Sequence, residues 1–444
     1  MKVNIQYGKK GLDIDIPDGL DVTIANPEPQ QPLPDPQAAI AAAIDHPVRG
    51  PTITAIIKER LKRLKRPADA TACIVVSDHT RPVPSRDILP PLLQRIEAAG
   101  IQRSRITILV ATGLHRGSTA LELEHMLGKD ILSAYNIINH DSKDRSRLVY
   151  KGISSHGTPI WINKVYLDAD IKILTGYVDP HFFAGFAGGR KAIVPGIAGE
   201  DTVMANHSAR HIDNPNARFA VLAGNPIHED ALEIAKHVGV DIIVNVCLDE
   251  QHRIIKVAAG DLEAAHDDLV QFMRKTIVKN LDSHYDIVIV NNGGYPLDLN
   301  LYQAVKSMVL GEIAVKEGGT IISVNEMSDG FGSDEFKALI EQETDPRELR
   351  NKLVSGELVM EASWQVQTLT RAATRAEILV ASAMPESAFK NVKLGMKWVP
   401  SVEQAIAQAV HKHGKDARIL VLPAGPQLIP CVKNSEATSC HARH

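Results

Sequence analysis

The chain has 444 residues, enough for two or three domains and a sizeable core. Apolar residues make up 44% and charged residues 23%, the balance of a globular protein in water, and the net charge is −4 from 49 basic and 53 acidic residues. No long block of one sign interrupts that balance, which argues against a general nucleic-acid binder, and no apolar run is long enough to span a membrane.

Residues 1–17, MKVNIQYGKKGLDIDIP, alternate and turn like a β-hairpin and lack the apolar stretch of a signal peptide. The proline-rich NPEPQQPLPDP (26–36) reads as an extended connector, with helices near 37–45 and 52–65 after it. Short apolar runs follow: ACIVVSD (72–78), ITILVATG (106–113) and IKILTGY (171–177), with helical segments at 87–99 and 119–127. That alternation predicts a parallel sheet covered on both faces. A helix near 200–211, another near 228–238, strands at 241–248 and 253–260 and an amphipathic helix over 261–279 come next.

The pattern restarts at DIVIVNNGG (286–294). A helix near 301–317, the strand GTIISVNE (319–326), helices to about 376, the strand EILVASA (377–383) and a helix over 401–413 continue it. The expected architecture is two α/β domains with largely parallel sheets, 1–279 and 280–413, and a ligand at the strand ends in the cleft between them. The strand within 414–430 is open to return to the first domain, and 431–444 reads as a polar tail. Cys73, Cys247, Cys431 and Cys440 are scattered with no CxxC pair. That argues against a disulfide framework or structural zinc, and for a reducing, cytoplasmic compartment.

Three strands run into unusual loops: SDHTRPVPSRD, TGLHRGST and VDPHFFAGFAGGRK. Ligands bind outside the carboxyl ends of strands in open parallel sheets, so Asp78, Arg81, His115, His181 and Lys191 would converge there. Singly, each has a plainer reading. Asp78 would cap a turn, Arg81 would be solvated, His115 would cap a helix and His181 would pack in its loop. Their convergence at three strand ends outweighs those readings.

The stretch HFFAGFAGGRKAIVPG (181–196) fails the P-loop pattern, because Ala192 follows Lys191 where Ser or Thr is needed. Gly188 and Gly189 still allow a backbone nest for an anion. Lys191 would then either serve a phosphate or act as a free amine. His207 and His211, in NHSARH, sit four apart and would share a helix face, although Ser208 stands where a zincin has Glu. Tyr302, Gln303 and Lys306 of LYQAVKS fall on about one helical turn, and Trp364 begins a later helix. These gain weight if the two domains face each other.

SDHTRP, TGLHRG, DPHFFAGFAGGRKAIVPG and ANH resemble the nickel-pincer nucleotide-dependent lactate racemase family, over nearly the whole chain. The resemblance implies an isomerase, a 2-hydroxy-acid racemase or epimerase, whose two domains close over a cofactor. The implied cofactor is nickel held by a pyridinium-3-thioamide-5-thiocarboxylic acid mononucleotide. It would be tethered at Lys191, with Asp78, Gly188, Gly189 and Trp364 around it and His207 as the nickel ligand. His115 and His181 match the family's acid–base pair, and Arg81, Tyr302, Gln303 and Lys306 its substrate contacts. The implied chemistry is reversible hydride transfer from C2 to the pyridinium, with the two histidines moving the hydroxyl proton on either side. The implied partners are a small 2-hydroxy acid and cofactor-synthesis proteins, with neither nucleic acid nor membrane. Rival readings are an epimerase of a larger sugar acid, a zinc hydrolase using His115, His181 and His207, and a non-catalytic nucleotide-binding protein.

Overall fold

The computed structural model of the protein describes residues 1–360 and 363–433. The alternating N-terminus forms the expected hairpin, β1 (Lys2–Ile5) antiparallel to β2 (Leu12–Asp15), and β3 (Asp21–Ile24) follows. The next strands are β4 (Ala72–Ser77), β5 (Ile106–Ala111) and β6 (Asn136–Asn139). A separate antiparallel hairpin, β7 (Leu148–Ile153) with β8 (Pro159–Asn163), leads to β9 (Ile171–Tyr177). A two-residue pair, β10 (Pro180–His181) with β11 (Gly185–Phe186), precedes β12 (Ile242–Leu248) and β13 (Ile254–Gly260).

The first sheet has the order β13-β12-β9-β4-β5-β6. Every neighbour is parallel except β12 with β13. Continuous apolar runs make this arrangement possible, because both faces of a parallel sheet must be covered. In β4, Ile74 and Val76 pack with Ile40, Ile57 and Ile88 on one face. Cys73 and Val75 pack with Ala231 and Leu269 on the other. The chain moves outward from β4 through β5 and β6, then returns to place β9 on the opposite side of β4. That reversal opens a crevice at the carboxyl ends of β4 and β9.

After β14 (Val278–Leu281), the second sheet is built from β15 (Tyr285–Val290), β16 (Val315–Val324), β17 (Glu377–Ala381), β18 (Met396–Val399) and β19 (Arg418–Leu422). Its order is β18-β17-β16-β15-β19-β3, parallel throughout. The N-terminal segment therefore departs from the expected 1–279 domain. Val22 of β3 pairs with Ile419, filling the open edge at β19. Val3, Ile5, Ile14 and Ile16 cover Ile287, Ile289, Ile322 and Val421. β19 likewise lies in the second sheet rather than returning to the first. The expected polar tail starts later than residue 431, because β20 (Ile429–Val432) pairs with β14 through Leu281 and Val432. The part of the expected tail from residue 434 onward lies outside the described residues.

The helix read across 200–211 is two helices, Glu200–Asn206 and Ala209–Asp213. Ser208, with ψ 150, is extended and breaks the turn between them, so His207 and His211 do not share a face. Cys73 and Cys247 are buried free thiols, whereas Cys431 is disulfide-bonded, against the expectation of reduced cysteines. Among the described residues, no helix is long and apolar enough to cross a membrane.

Candidate active site

The site begins where β4 stops. Asp78 is buried, and its Oδ1 accepts from Thr80 N at 3.1 Å and Thr80 Oγ1 at 2.6 Å, the turn cap expected of an aspartate there. Its Oδ2 lies 2.7 Å from His115 Nδ1, in the loop after β5. Burial raises the Asp78 carboxyl, but the His115 hydrogen bond, with His115, Arg81 and Thr80, outweighs it and holds the group below its usual range. A carboxylate on Nδ1 makes that nitrogen the donor and leaves Nε2 of His115 to accept a proton. Arg81 Nη1 donates to Thr80 O at 3.2 Å and Thr80 Oγ1 at 2.9 Å, which fixes the guanidinium at the same turn.

Beyond β9, the pairing of β10 with β11 folds His181 back over its own loop. His181 Nδ1 accepts from Ala184 N at 3.3 Å and Phe183 N at 3.5 Å. Its Nε2 is 3.3 Å from Lys191 Nζ, and its ring rests against Phe182 and Phe183 at centroid distances of 5.0 and 4.5 Å. Burial, then the charges of Lys191, Lys306, Arg81 and His207, push His181 well below the usual histidine range. Burial, then Arg190, Arg81 and Lys306, push Lys191 well below an ordinary lysine.

The glycines serve close packing rather than an anion nest. Gly188 has φ +79°, and a Cβ there would stand 2.8 Å from Asn245 Oδ1 and 2.9 Å from Tyr177 O. Gly189 N already donates to Asn245 Oδ1 at 2.8 Å, so it has no free donor for a phosphate. Gly188 borders the inner cavity described below, but Gly189 is buried against His266 and borders neither cavity.

His207 ends its helix with its ring 5.1 Å from Phe183 and 5.8 Å from Trp364. Among the described residues, its Nδ1 is buried without a hydrogen-bond partner. Burial, with Lys191 and His211, pushes it down to about 3, so the ring is a neutral imidazole at physiological pH. His211 turns away, its Nδ1 3.0 Å from Asn206 O.

Across the cleft, Asn300 caps the helix Leu301–Ala314, which carries Tyr302, Gln303 and Lys306. Lys306 Nζ donates to Gln303 Oε1 at 2.5 Å, and Trp364 Nε1 donates to Tyr302 Oη at 3.0 Å. Burial and Arg81 push Lys306 down to about 7, against the pull of Asp179. Asp179 is pushed up to about 7 by burial, against Lys306 and Arg81. Its place in the site was not assigned from sequence, and the only signal was its position two residues before His181.

Two adjoining cavities meet here. The inner one, about 590 Å³, is bordered by Asp78, His115, His207, Tyr302 and Trp364. The outer one, about 940 Å³, is bordered by Asp179, Asn292 and Tyr295. Arg81, His181, Lys191, Gln303 and Lys306 border both. The three strand ends and the second-domain helix are thus brought together, and of the expected site residues only Gly189 stands apart. Among the described residues, no group of three His, Cys, Asp or Glu side chains is arranged to hold a metal ion.

Residues 7–220 match the family described as the lactate racemase N-terminal domain, and residues 279–429 the lactate racemase C-terminal domain. The chain belongs to the lactate racemase family. A lactate racemase of Thermoanaerobacterium thermosaccharolyticum is 35% identical over 434 residues, 96% of this chain and 98% of the relative. A lactate racemase of Lactiplantibacillus plantarum is 38% identical over 392 residues, 88% and 89% of the two chains. The structure of the lactate racemase apoprotein from T. thermosaccharolyticum matches with a TM-score of 0.88 at 33% identity, covering 97% of this chain and all of that one. A Thermotoga maritima protein shares the fold, with a TM-score of 0.63 at 17% identity over 86% of this chain and 99% of that one. Lactate racemases are isomerases, the enzyme class that the motifs implied.

Proposed function

We propose that the protein inverts C2 of a 2-hydroxy acid, lactate or a close analogue, with the help of a nickel-pincer pyridinium nucleotide. One observation carries this reading: two imidazoles with different backing, His115 on a carboxylate and His181 on backbone amides, border one cavity together with Arg81 and Lys306. Arg81 offers a planar fork to the substrate carboxylate, and Lys306 adds a second donor. His115 takes or gives the hydroxyl proton at Nε2, while Asp78 orients the ring through Nδ1. His181, crowded by cations, stays neutral near physiological pH and exchanges its proton at Nε2. The two rings thereby serve the two faces of the carbon.

The hydrogen on C2 is too weakly acidic beside a carboxylate for a histidine to remove as a proton. When bound, the pyridinium group supplies a hydride acceptor that returns what it takes. The residues present fit such a group. His207 offers a neutral, buried Nδ1 with no other partner. Lys191 is the amine that would anchor the nucleotide, with Gly188, Asp78 and Trp364 bordering the same cavity. A cavity of about 590 Å³ lies in the range of ordinary cofactor sites. A second reading, epimerisation of a larger polyhydroxy acid, is favoured by the size of the outer cavity, about 940 Å³, beside Asn292 and Tyr295.

The test is a chiral assay of single enantiomers of lactate and longer 2-hydroxy acids carrying deuterium at C2. Racemisation with the deuterium retained is expected, and free exchange of that deuterium with water would overturn the hydride reading. Protein from cells that make the cofactor should be heavier than its sequence, with the added mass on the Lys191 peptide.

A further inference from the structure

Oxygen acceptors without donors gather at the carboxyl edge of the second sheet. Asp298 is fully buried. Its Oδ2 accepts from Gly8 N at 2.7 Å and Glu326 N at 3.1 Å, while its Oδ1 has no partner. Glu326, two residues past the end of β16, lays its carboxylate on the other side of Gly8. A Cβ on Gly8 would stand 2.6 Å from the Glu326 carboxyl carbon. Both carboxylates also face Tyr7, which burial, then Glu326 and Asp298, push up to about 12. Among the described residues, neither carboxylate forms an ion pair. The neighbouring Lys9 turns its Nζ onto the Tyr295 ring instead, 4.5 Å from the centroid.

Two amide side chains bring further oxygens to this place. Asn292 is 1% exposed, and its Nδ2 donates to Leu297 O, the residue before Asp298. That bond fixes the amide and leaves Oδ1, which is buried without a partner, inside the loop that Asp298 N closes on Gly294 O at 2.9 Å. Gln6 Oε1 is also buried without a partner, 3.5 Å from where a Cβ on Gly293 would stand. Water can donate to such oxygens, but it cannot balance two adjacent carboxylates, one of them out of solvent. A cation does both. We propose that Asp298, Glu326, Asn292 and Gln6 hold a divalent hard cation of calcium size, which clamps the N-terminal segment onto the loop 292–298. An all-oxygen set without imidazole or thiolate suits calcium or magnesium rather than zinc or nickel. Amide carbonyls mixed with carboxylates in an irregular frame suit calcium, because magnesium keeps most of its own water. The clamp has a consequence for the cleft. Asn292, Tyr295 and Leu297 border the outer cavity, and the chain then runs directly to Asn300, which caps the helix carrying Tyr302, Gln303 and Lys306.

The test is independent of the reaction. Full-length protein made without the cofactor is freed of metal on a chelating resin and dialysed against calcium chloride in potassium buffer. One equivalent of calcium should bind saturably, with a Kd of about 1 mM or tighter. The thermal midpoint should climb with calcium concentration, and less with magnesium at the same concentration. Hydrogen exchange in the peptide spanning 292–299 should slow when calcium is added. Asp298→Asn and Glu326→Gln should each weaken binding by at least about tenfold, since affinity follows the number of charged ligands. Glu326→Gln leaves both hydrogen bonds to Asp298 in place, so it decides the matter even if Asp298→Asn does not fold. An unaltered chain that takes up no calcium or prefers magnesium, or a folded variant that binds calcium as tightly as the unaltered chain, overturns the proposal.

Discussion

At the carboxyl ends of β15 and β19, the second sheet reverses direction as the first does at β4 and β9. Each reversal opens a crevice of the kind that binds ligands in α/β proteins. The chain fills the floor of the second one itself at Asn291, while the loop from Asn292 onward borders the outer cavity. Asn291 Nδ2 donates to Leu422 O at 3.2 Å and Pro423 O at 2.7 Å, and Asn291 Oδ1 accepts from Gly293 N at 2.7 Å. Gln6 N reaches Pro423 O at 3.1 Å, and Gly8 N reaches Asp298 Oδ2 at 2.7 Å, so the N-terminal segment seals the rim. In the first crevice, short polar side chains give way to His115, His181, Lys191 and Arg81 around open space. The fold supplies two equivalent crevices, and the side chains at the strand ends decide which becomes a site.

The strongest way to break that comparison is at the histidines. His115→Ala and His181→Ala should each lower racemisation by about a hundredfold to ten-thousandfold, the range expected for losing a general acid or base. Chiral turnover assays alongside thermal unfolding would check this. A variant that turned over normally would mean the open crevice does not use two histidines.

Acid should separate the two regions next. The histidines pushed far down, His140 to about 4, His266 to about 3 and His228 to about 2, belong to the first domain, as do His181 and His207. Burial is the leading cause for each. The unfolded chain binds protons on them once pH falls below about 6.5, while the folded chain does not. Stability is therefore intact above that value and is lost as pH falls toward the folded values, at up to roughly 1.4 kcal/mol per pH unit for each histidine. In cofactor-free protein, the unfolding midpoint should drop between about pH 7 and about pH 5. Peptide-resolved hydrogen exchange should show the first domain opening before the second. A flat midpoint, or loss of the second domain first, would count against the assignment.

Arg81→Lys is a smaller test within the open crevice. It keeps the charge but loses the planar fork, and should lower kcat/KM by roughly tenfold to a hundredfold, from weaker charge-assisted hydrogen bonds to the carboxylate. Substrate titrations would show whether KM carries the loss. An unchanged kcat/KM would remove Arg81 from substrate recognition.

The sheet carrying the site was legible because β4, β5 and β9 are apolar runs that stop at charged or imidazole side chains, and a parallel sheet puts such stops on one edge. What stayed hidden depended on distant contacts. β3 alternates like many edge strands, and nothing within it names β19, about four hundred positions later, as its partner. The 3.6-residue period runs unbroken through Ser208, so the break after His207 left no local mark. Gly188 reads equally as a nest for an anion or as room for Asn245 to approach, and only the packing separates the two. Arg190 carries a charge, which in sequence suggests water, yet it is among the most deeply buried side chains.

The closed crevice gives the smallest and most discriminating test. Asn291→Ala would strip a donor from Leu422 O, one of two donors from Pro423 O, which keeps Gln6 N, and an acceptor from Gly293 N. Such losses cost about 1–3 kcal/mol. Because Asn291 borders neither cavity, the cost should appear as a thermal midpoint lower by several degrees. The kcat of the folded protein should change less than about threefold, under 1 kcal/mol in the barrier. A loss of kcat as deep as that from removing a histidine, with the midpoint unmoved, would show that the second crevice takes part in the chemistry. A lowered midpoint with intact turnover would show that Asn291 and the backbone groups it ties together serve the fold, and that the chemistry does not depend on them.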